Sequence, residues 1–452
     1  MNRKRIWGWW FFDWAGQPYH TLLVTFIFSI YFAEVAKRAY IAQGHDVMLA
    51  GAHAQTLWGY VLAISGAVIA LLAPLLGAVA DRSGRKLPWI WFFSGMVVVG
   101  ASGLWLLTPQ DPRLITALAF FGVGLIGMEF ATIFTNALLP GLAPRDEIGR
   151  LSGSGFAFGY LGGLVALGIM LLFFAETPSG RTLIGIPPLF GLDPALREGT
   201  RFVGPFTALW YAVFMLPFWF WVTEPKGLRM GPISLRAAAA DLWQTVKGLR
   251  QRRSLAVWLV SSMLSRDGLN ALYGFGGVYA GTVLGWPVFL SGVFGVVSVI
   301  SAAVISWLGG RADRRYGPKP VIVGAILLLT LVCVIIVGMT RETLFGLPLA
   351  AGSRVPDVMF FICGAMIGGA GGAMQAASRT LTVRHTSDER ATEVFGLYAL
   401  SGKATAFLAP FLIAVVTDLT GNQRIGVTPL IVMFLLALFL LRWVNKNGEG
   451  PQ

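Results

Sequence analysis

The sequence predicts an all-α membrane protein with twelve transmembrane helices in two pseudo-symmetric six-helix bundles. Three observations lead there. Of 452 residues, 56% are hydrophobic and only 13% charged, against about 45–50% apolar and about 25% charged in an ordinary soluble domain. So little charge cannot cover a water-facing surface of this size. Twelve apolar stretches are each long enough to span a hydrocarbon core, which takes about 20 helical residues. Charged and polar landmarks also recur at equivalent places in the two halves. The 56 glycines and 16 tryptophans fit, because small residues let membrane helices approach and Trp favours the interface. The apolar content and only two cysteines exclude disorder and a disulfide scaffold.

Span 1, Ile6–Phe32, follows Arg3, Lys4 and Arg5 as a secretory signal would. It runs too long for a signal, carries Asp13 and offers no clean small-residue cleavage site, so it reads as a retained helix. Spans 2 to 6 follow at Gln55–Val79, Pro88–Thr108, Leu114–Leu139, Ser152–Ala175 and Val203–Val222. The longest charged stretch then divides the chain into a first bundle, 1–223, a linker, 224–253, and a second bundle, 254–452. Within the linker, Leu235, Ala239, Leu242, Val246 and Leu249 recur at helical spacing among Arg236, Asp241, Lys247, Arg250, Arg252 and Arg253. That pattern predicts a cytoplasmic amphipathic helix lying on the membrane surface, or docking a partner. Spans 7 to 12 are Leu255–Thr282, Val288–Leu308, Val321–Thr340, Asp357–Val383, Val394–Thr417 and Val427–Val444. Cys333 and Cys363 fall inside spans 9 and 10 as small buried apolar residues.

An even number of spans puts both termini on one side. Most of the 35 Lys and Arg lie in segments that an N-in, C-in topology makes cytoplasmic, as the positive-inside rule requires. That placement accounts for the net charge of +13 without a nucleic-acid partner. Short loops and the lack of an N-x-[ST] sequon fit a bacterial inner (cytoplasmic) membrane.

The halves repeat: Asp13-Trp14-Ala15 answers to Asp267-Gly268-Leu269, Asp81-Arg82 to Asp313-Arg314, and Asp146-Glu147 to Asp388-Glu389. Parallel six-helix repeats about a central cavity are a transporter architecture. The loop after span 2, Gly77 to Lys86 with Asp81, Arg82, Gly84 and Arg85, resembles the G-x-x-x-D-R-x-G-R-[RK] signature of the major facilitator superfamily. A degraded copy follows span 8 from Gly309 to Lys319, with one extra residue between Arg314 and Gly317. The opening Trp9-Trp10-Phe11-Phe12-Asp13-Trp14-Ala15-Gly16-Gln17-Pro18 is similar to the vacuole-effluxer-like branch, also called the unknown major facilitator family, which commonly has Asn where this chain has Gly16. Residues 265–273 and 396–405 resemble further stretches of that branch. The resemblance implies alternating access between inward-open and outward-open states. It also implies that the signature loop latches the cytoplasmic side and that spans 1, 4, 7 and 10 line the cavity. Fungal members of the branch are associated with amino-acid efflux, while most bacterial members have no assigned substrate.

Ionisable groups at membrane depth cost about 2.5–3.5 kcal/mol each on insertion scales and mark functional sites by default. Asp13, Glu129, Arg266, Asp267, Arg379 and Lys403 are of this kind, three acidic and three basic. Helical spacing aligns Asp13 with Gln17 and His20, Glu129 with Thr132 and Asn136, Asp267 with Asn270, and Gln375 with Arg379. Asp13, Glu129, Asp267 and His20 are candidates for proton or cation coupling. Gln17, Asn136, Asn270, Gln375, Arg379 and Lys403 are candidates for substrate binding, the two cations holding an anionic group. Structural readings compete: Asp13 could pair with Arg5, Asp267 could pair with Arg266, and His20 could be a packing hydrogen-bonder.

Gly122-Val123-Gly124-Leu125-Ile126-Gly127 matches a dinucleotide fingerprint, yet it sits mid-span without the strand it requires, so it reads as a helix-packing surface. Gly155, Gly159 and Gly163 form another small-residue stripe, and the run Gly368–Gly372 is expected to bend or tighten span 10. No metal cluster, P-loop or catalytic constellation is found, which argues against an enzyme. The sequence thus predicts a monomeric secondary transporter that moves a small polar metabolite, an amino acid or organic anion, on a proton or sodium gradient without a cofactor. A cation-coupled sugar symporter, a lipid transporter and a non-transporting membrane scaffold or sensor are the alternatives.

Overall fold

Hydrocarbon forces the backbone to satisfy its own hydrogen bonds, so a chain of this composition folds as helices. A computed structural model describes residues 2–224, 235–286, 288–350 and 352–448. Among them ten helices are long and apolar enough to cross a membrane. Two expected spans take another form. Span 7 lies on the 30-residue helix Arg253–Thr282, whose apolar run is interrupted by Arg266 and Asp267. Span 12 lies on the shorter apolar helix Ile425–Leu441. The only strands among the described residues are a two-stranded hairpin, Thr343–Leu344 with Leu347–Pro348, turning through Gly346 at φ +80°.

Several helices are longer or less regular than the apolar pattern predicts. Span 1 extends to Ala42 and is not one α-helix: Arg3–Pro18 is α-helical, Tyr19–Phe26 is π-helical, and Phe28–Ala42 resumes the α form. Pro18 lacks the amide that would continue the ladder, which is where the wider turns begin. Span 6 breaks at Met215, between Val203–Phe214 and Leu216–Trp221. Span 11 breaks at residues 405–407, between Ala391–Ala404 and Leu408–Thr420. The linker contains the helix Leu235–Gly248; its Leu242, and Leu249 just after it, pack against the neighbouring core while Trp243 stays exposed. The first part of the expected linker, 225–234, lies outside the described residues.

The chain divides into two compact units. One comprises Met1–Leu72, Ser83–Thr135 and Phe158–Arg229; the other comprises Ala73–Arg82, Asn136–Ala157 and Met230–Gln452. The first has an aromatic core in which Phe93, Phe130 and Phe134 stack, with Phe28 and Phe121 against Trp58. Its glycines set the helix spacing. A methyl group at Gly100 would sit 2.4 Å from the Gly124 amide nitrogen. Methyl groups at Gly159, Gly162 and Gly163 would lie 3.0, 2.8 and 2.9 Å from Asp13, Trp14 and Gln17. The fingerprint-like glycines are packing positions, Gly124 against Tyr19 and Gly127 against Phe93.

The second unit is built on the continuous helix Val355–Arg384. Its glycine run tightens rather than breaks that helix: Gly368, Gly369 and Gly372 lie on Ser298, Ile305 and Ala302 of the helix Val288–Tyr316. Cys333 and Cys363 are buried and unpaired in this core. The connection 176–202 in the first unit, which no sequence pattern explains, is ordered by buried Glu176. It accepts from the Thr200 amide and hydroxyl at 3.0 and 2.7 Å and pairs with Arg197 at 3.1 Å.

Close crossing makes a sharp prediction. Gly100→Ala should lower the unfolding midpoint of the detergent-purified protein, since overpacking costs about 1–3 kcal/mol. Gly95→Ala, on the same helix with nothing within 4 Å, should leave it unchanged or raise it. Equal effects of the two substitutions would refute the packing assignment.

Candidate functional site

Midway along the helix Arg253–Thr282 stand two adjacent charges that point to different partners. Successive helical residues are about 100° apart, so Arg266 and Asp267 address separate neighbours rather than each other. Arg266 Nη2 donates to the Tyr398 carbonyl at 2.6 Å and to Ser401 Oγ at 3.1 Å. Its guanidinium carbon lies 3.8 Å from the centre of the Tyr398 ring, a cation–π contact. Gly402 makes room for it, because a methyl there would lie 2.2 Å from Nη2. Asp267 is 2% exposed and accepts through Oδ2 from the Thr405 hydroxyl. Its Oδ1 has no hydrogen-bond partner among the described residues. Thr405 stands at the interruption of span 11, with Lys403 in the last turn before it. Non-helical backbone at membrane depth belongs where it is buried in protein or lines a cavity. The broken helix, the half-satisfied carboxyl and Arg266 therefore form one polar cluster in the second unit. Asn270 is exposed one turn beyond Asp267.

A second cluster is a set of latches at helix starts, where peptide amides lack partners in their own helix. Asp81, 6% exposed, accepts from the amides of Thr392 and Glu393 at 3.2 and 2.8 Å, so a carboxylate meets the positive end of the helix Ala391–Ala404. Gly77 lets the two helices of this contact approach, since a methyl would sit 2.6 Å from the Thr392 carbonyl oxygen. Gly84, at φ +66°, ends the helix Val47–Ser83 in the left-handed conformation that favours glycine. The next helix, starting at Leu87, is held by Glu224, whose Oε2 accepts from the Lys86 and Leu87 amides at 2.7 and 3.1 Å. No sequence pattern pointed to Glu224, which lies 138 residues from Lys86.

The second copy of the signature also lies at helix ends but, unlike Asp81, its Asp313 accepts from no amide among the described residues. Gly317, at φ +89°, ends the helix Val288–Tyr316, absorbing the extra residue. Asp313 lies against Gly149 in the first turn of the helix Ile148–Ile169. Arg314 pairs with Glu147 at 2.5 Å, and Glu147 also with Arg150 at 3.0 Å. Gly153 and Gly310 touch backbone to backbone.

Arg379, 3% exposed, belongs to this latch. Its Nε donates to Ser152 Oγ at 2.9 Å, Nη2 to the Ser152 carbonyl at 2.9 Å, and Nη1 to Asn136 Oδ1 at 3.1 Å. Its guanidinium also lies 4.3 Å from the centre of the Phe156 ring. Two residues expected to face a substrate are thus bonded to each other here. Gln375 sits one turn before Arg379 on the same helix, half-buried.

In the first unit, Asp13, Gln17, His20 and Glu129 are all half-buried. The first three follow the helix across its α-to-π transition, which places His20 in the π segment, a feature frequent at functional sites. Met128, beside Glu129, meets Gly16. Asp13 and Gln17 lie against Gly159 and Gly163. His385, which the sequence offered no role, is buried with Nε2 2.7 Å from Ser254 Oγ. No group of three or more His, Cys, Asp or Glu capable of holding a metal occurs among the described residues.

This fold is that of major facilitator transporters. The structure of the human organic anion transporter MFSD10 matches with a TM-score of 0.68 at 16% identity, covering 97% of this chain and 99% of that one. The outward-conformation structure of FucP matches with a TM-score of 0.70 at 12% identity, covering 99% of each. Residues 1–449 match the family described as vacuole effluxer Atg22 like, and the chain belongs to that family. The MFS-type transporter YxiO of Bacillus subtilis is 26% identical over 445 residues, 97% of this chain and 94% of that protein. Autophagy-related protein 22 of Cryptococcus neoformans is 24% identical over 300 residues, 65% of this chain. That alignment takes in about half the length of the fungal relative, 49%. The chain is an integral membrane protein of the transporter class.

The capping contact is directly measurable. Asp81→Ala should speed amide hydrogen exchange at Thr392 and Glu393 by about tenfold or more, because hydrogen bonds to a charged group are worth about 1.5–3 kcal/mol. Unchanged exchange at both amides would show that Asp81 does not hold them.

Proposed function

We propose that this chain is a proton-coupled secondary active transporter of a small polar metabolite, an amino acid or organic anion, working by alternating access. In this reading it crosses a bacterial cytoplasmic membrane twelve times, with both termini inside. Two six-helix bundles, 1–223 and 254–452, are joined by the amphipathic linker. It acts as a monomer and uses an ion gradient instead of a cofactor.

The observation that carries the proposal is Asp267. It is a buried carboxyl with one oxygen accepting from Thr405 and the other unpartnered among the described residues, mid-helix and beside a broken helix. A purely structural carboxyl would gain by pairing with the arginine next to it, whereas Arg266 is committed to Tyr398 and Ser401. A buried carboxyl with a vacant acceptor suits the taking up and release of a proton. Asp13, Glu129 and His20 are the partners proposed for it in the other bundle. Arg266, Lys403 and Asn270 supply the donors for an anionic or zwitterionic cargo, with Gln17 and Gln375 orienting it. Arg379 and Asn136 would hold the arrangement described here and become available to the cargo when residues 136–157 part from the helix Val355–Arg384. The similarity to an organic anion transporter agrees with this cargo class at the level of fold alone.

The first test is thermal unfolding of the purified protein against a panel of amino acids, organic anions, sugars and lipids, at about pH 5.5 and pH 8. A ligand at 100 times its Kd stabilises by about 2.7 kcal/mol. An amino acid or organic anion should raise the midpoint by different amounts at the two pH values. In Asp267→Asn that pH difference should disappear while binding persists. In proteoliposomes the same variant should exchange the identified cargo across the bilayer but fail to concentrate it on a pH gradient. Concentrative uptake by Asp267→Asn would refute its coupling role. A response confined to sugars or lipids would refute the cargo class.

A further inference from the structure

The turn between the first two candidate spans brings together two of the four histidines of the chain. The helix Phe28–Ala42 ends two residues before Gly44, whose φ of +93° reverses the chain. The His45 amide then donates back to the Tyr40 carbonyl at 3.1 Å. Asp46 Oδ1 accepts from the amides of Met48 and Leu49 at 2.8 and 3.1 Å, which starts the helix Val47–Ser83. His53 lies two turns into that helix and faces back to the turn. The His45 and His53 ring centres are 5.1 Å apart with planes at 60°. Tyr40 lies against both, at 5.6 and 5.1 Å, and the rings of the three are half-buried.

From this cluster we infer a binding site for a borderline-soft divalent metal ion of the Zn2+ class, ligated by His45 and His53. Two imidazoles bound through nitrogen to one tetrahedral ion, at about 2.0–2.1 Å each, place their ring centres about 5 Å apart. The observed separation needs no rearrangement of the turn. Neither imidazole makes a hydrogen bond or an ion pair with the described residues, so ring nitrogens remain for an ion. Imidazole selects Zn2+, Ni2+ or Cu2+ over Mg2+ or Ca2+, which take oxygen. No third His, Cys, Asp or Glu joins the pair among the described residues, so water completes the shell and the binding is reversible. Tyr40 is a positioning residue whose ring backs both ligands. The bound ion would tie the turn at His45 to the start of the helix Val47–Ser83.

The experiment uses the full chain without a polyhistidine tag, in detergent, titrated with ZnCl2 by calorimetry. One equivalent of Zn2+ should bind and be removed by EDTA, and MgCl2 should give no heat of binding. His45→Ala and His53→Gln should each weaken Zn2+ binding at least tenfold, with unfolding midpoints in EDTA equal to that of the unsubstituted protein. His20→Gln should leave binding unchanged. Saturable binding that survives both His45→Ala and His53→Gln, or no saturable binding at millimolar Zn2+, would overturn the assignment. A variant that fails to fold is replaced by His45→Gln or His53→Asn, read by the same titration.

Discussion

A helix start inside an apolar protein presents amides that nothing in its own helix accepts, and much of this structure follows from how carboxylates meet them. Asp81 reaches the start of the helix Ala391–Ala404, and Glu224 reaches the start of the helix at Leu87. Each contact joins segments far apart in the chain. Each also puts a negative charge where the peptide dipoles favour one. The short side chain of Asp81 reaches only because Gly77 carries no Cβ against Thr392. Glycine and carboxylate therefore act as one device, and the signature spacing between them is a distance requirement.

The helical class and the approximate spans were legible because hydropathy reports burial in hydrocarbon directly. Residues 77–86 were legible as a signature because glycine, acid and base recur there at fixed intervals. Helix breaks were not legible. Residues 405–407 break where Thr405 turns its hydroxyl to Asp267, a tertiary contact that hydropathy does not report, while Met215 stands two residues before Pro217, a signal that the span pattern passes over. Long-range partners were equally hidden. Glu224 read as the start of a linker, and Ser152 as the start of a span, yet one caps a helix and the other receives Arg379 twice. Arg379 and Asn136 were recognisable as polar groups out of place in a membrane helix, but single-helix periodicity carries no information on which polar groups meet. Arg266 and Asp267 show the opposite error, since adjacency in sequence suggests a pair that helical geometry separates.

The two clusters in the second unit differ in how completely they are satisfied. Arg379 donates to Ser152 and Asn136 and lies over the Phe156 ring, so its charge is well compensated. Asp267 has one hydrogen bond for two oxygens. In low dielectric the first arrangement is a stable fastening and the second a site with unused capacity. That contrast, rather than charge alone, separates a residue whose donors are engaged from one with an acceptor to spare.

The π-helical stretch Tyr19–Phe26 alters the meaning of everything beyond it in the first helix. A turn that bonds five residues back holds more residues than an α turn, so the phase of the helical wheel resets across it. Before the stretch, the helix offers Asp13, Trp14 and Gln17 to the glycines of 159–163. After it, Phe28 and Phe32 address Trp58. One continuous rod thereby serves two neighbours whose directions no single periodicity could satisfy.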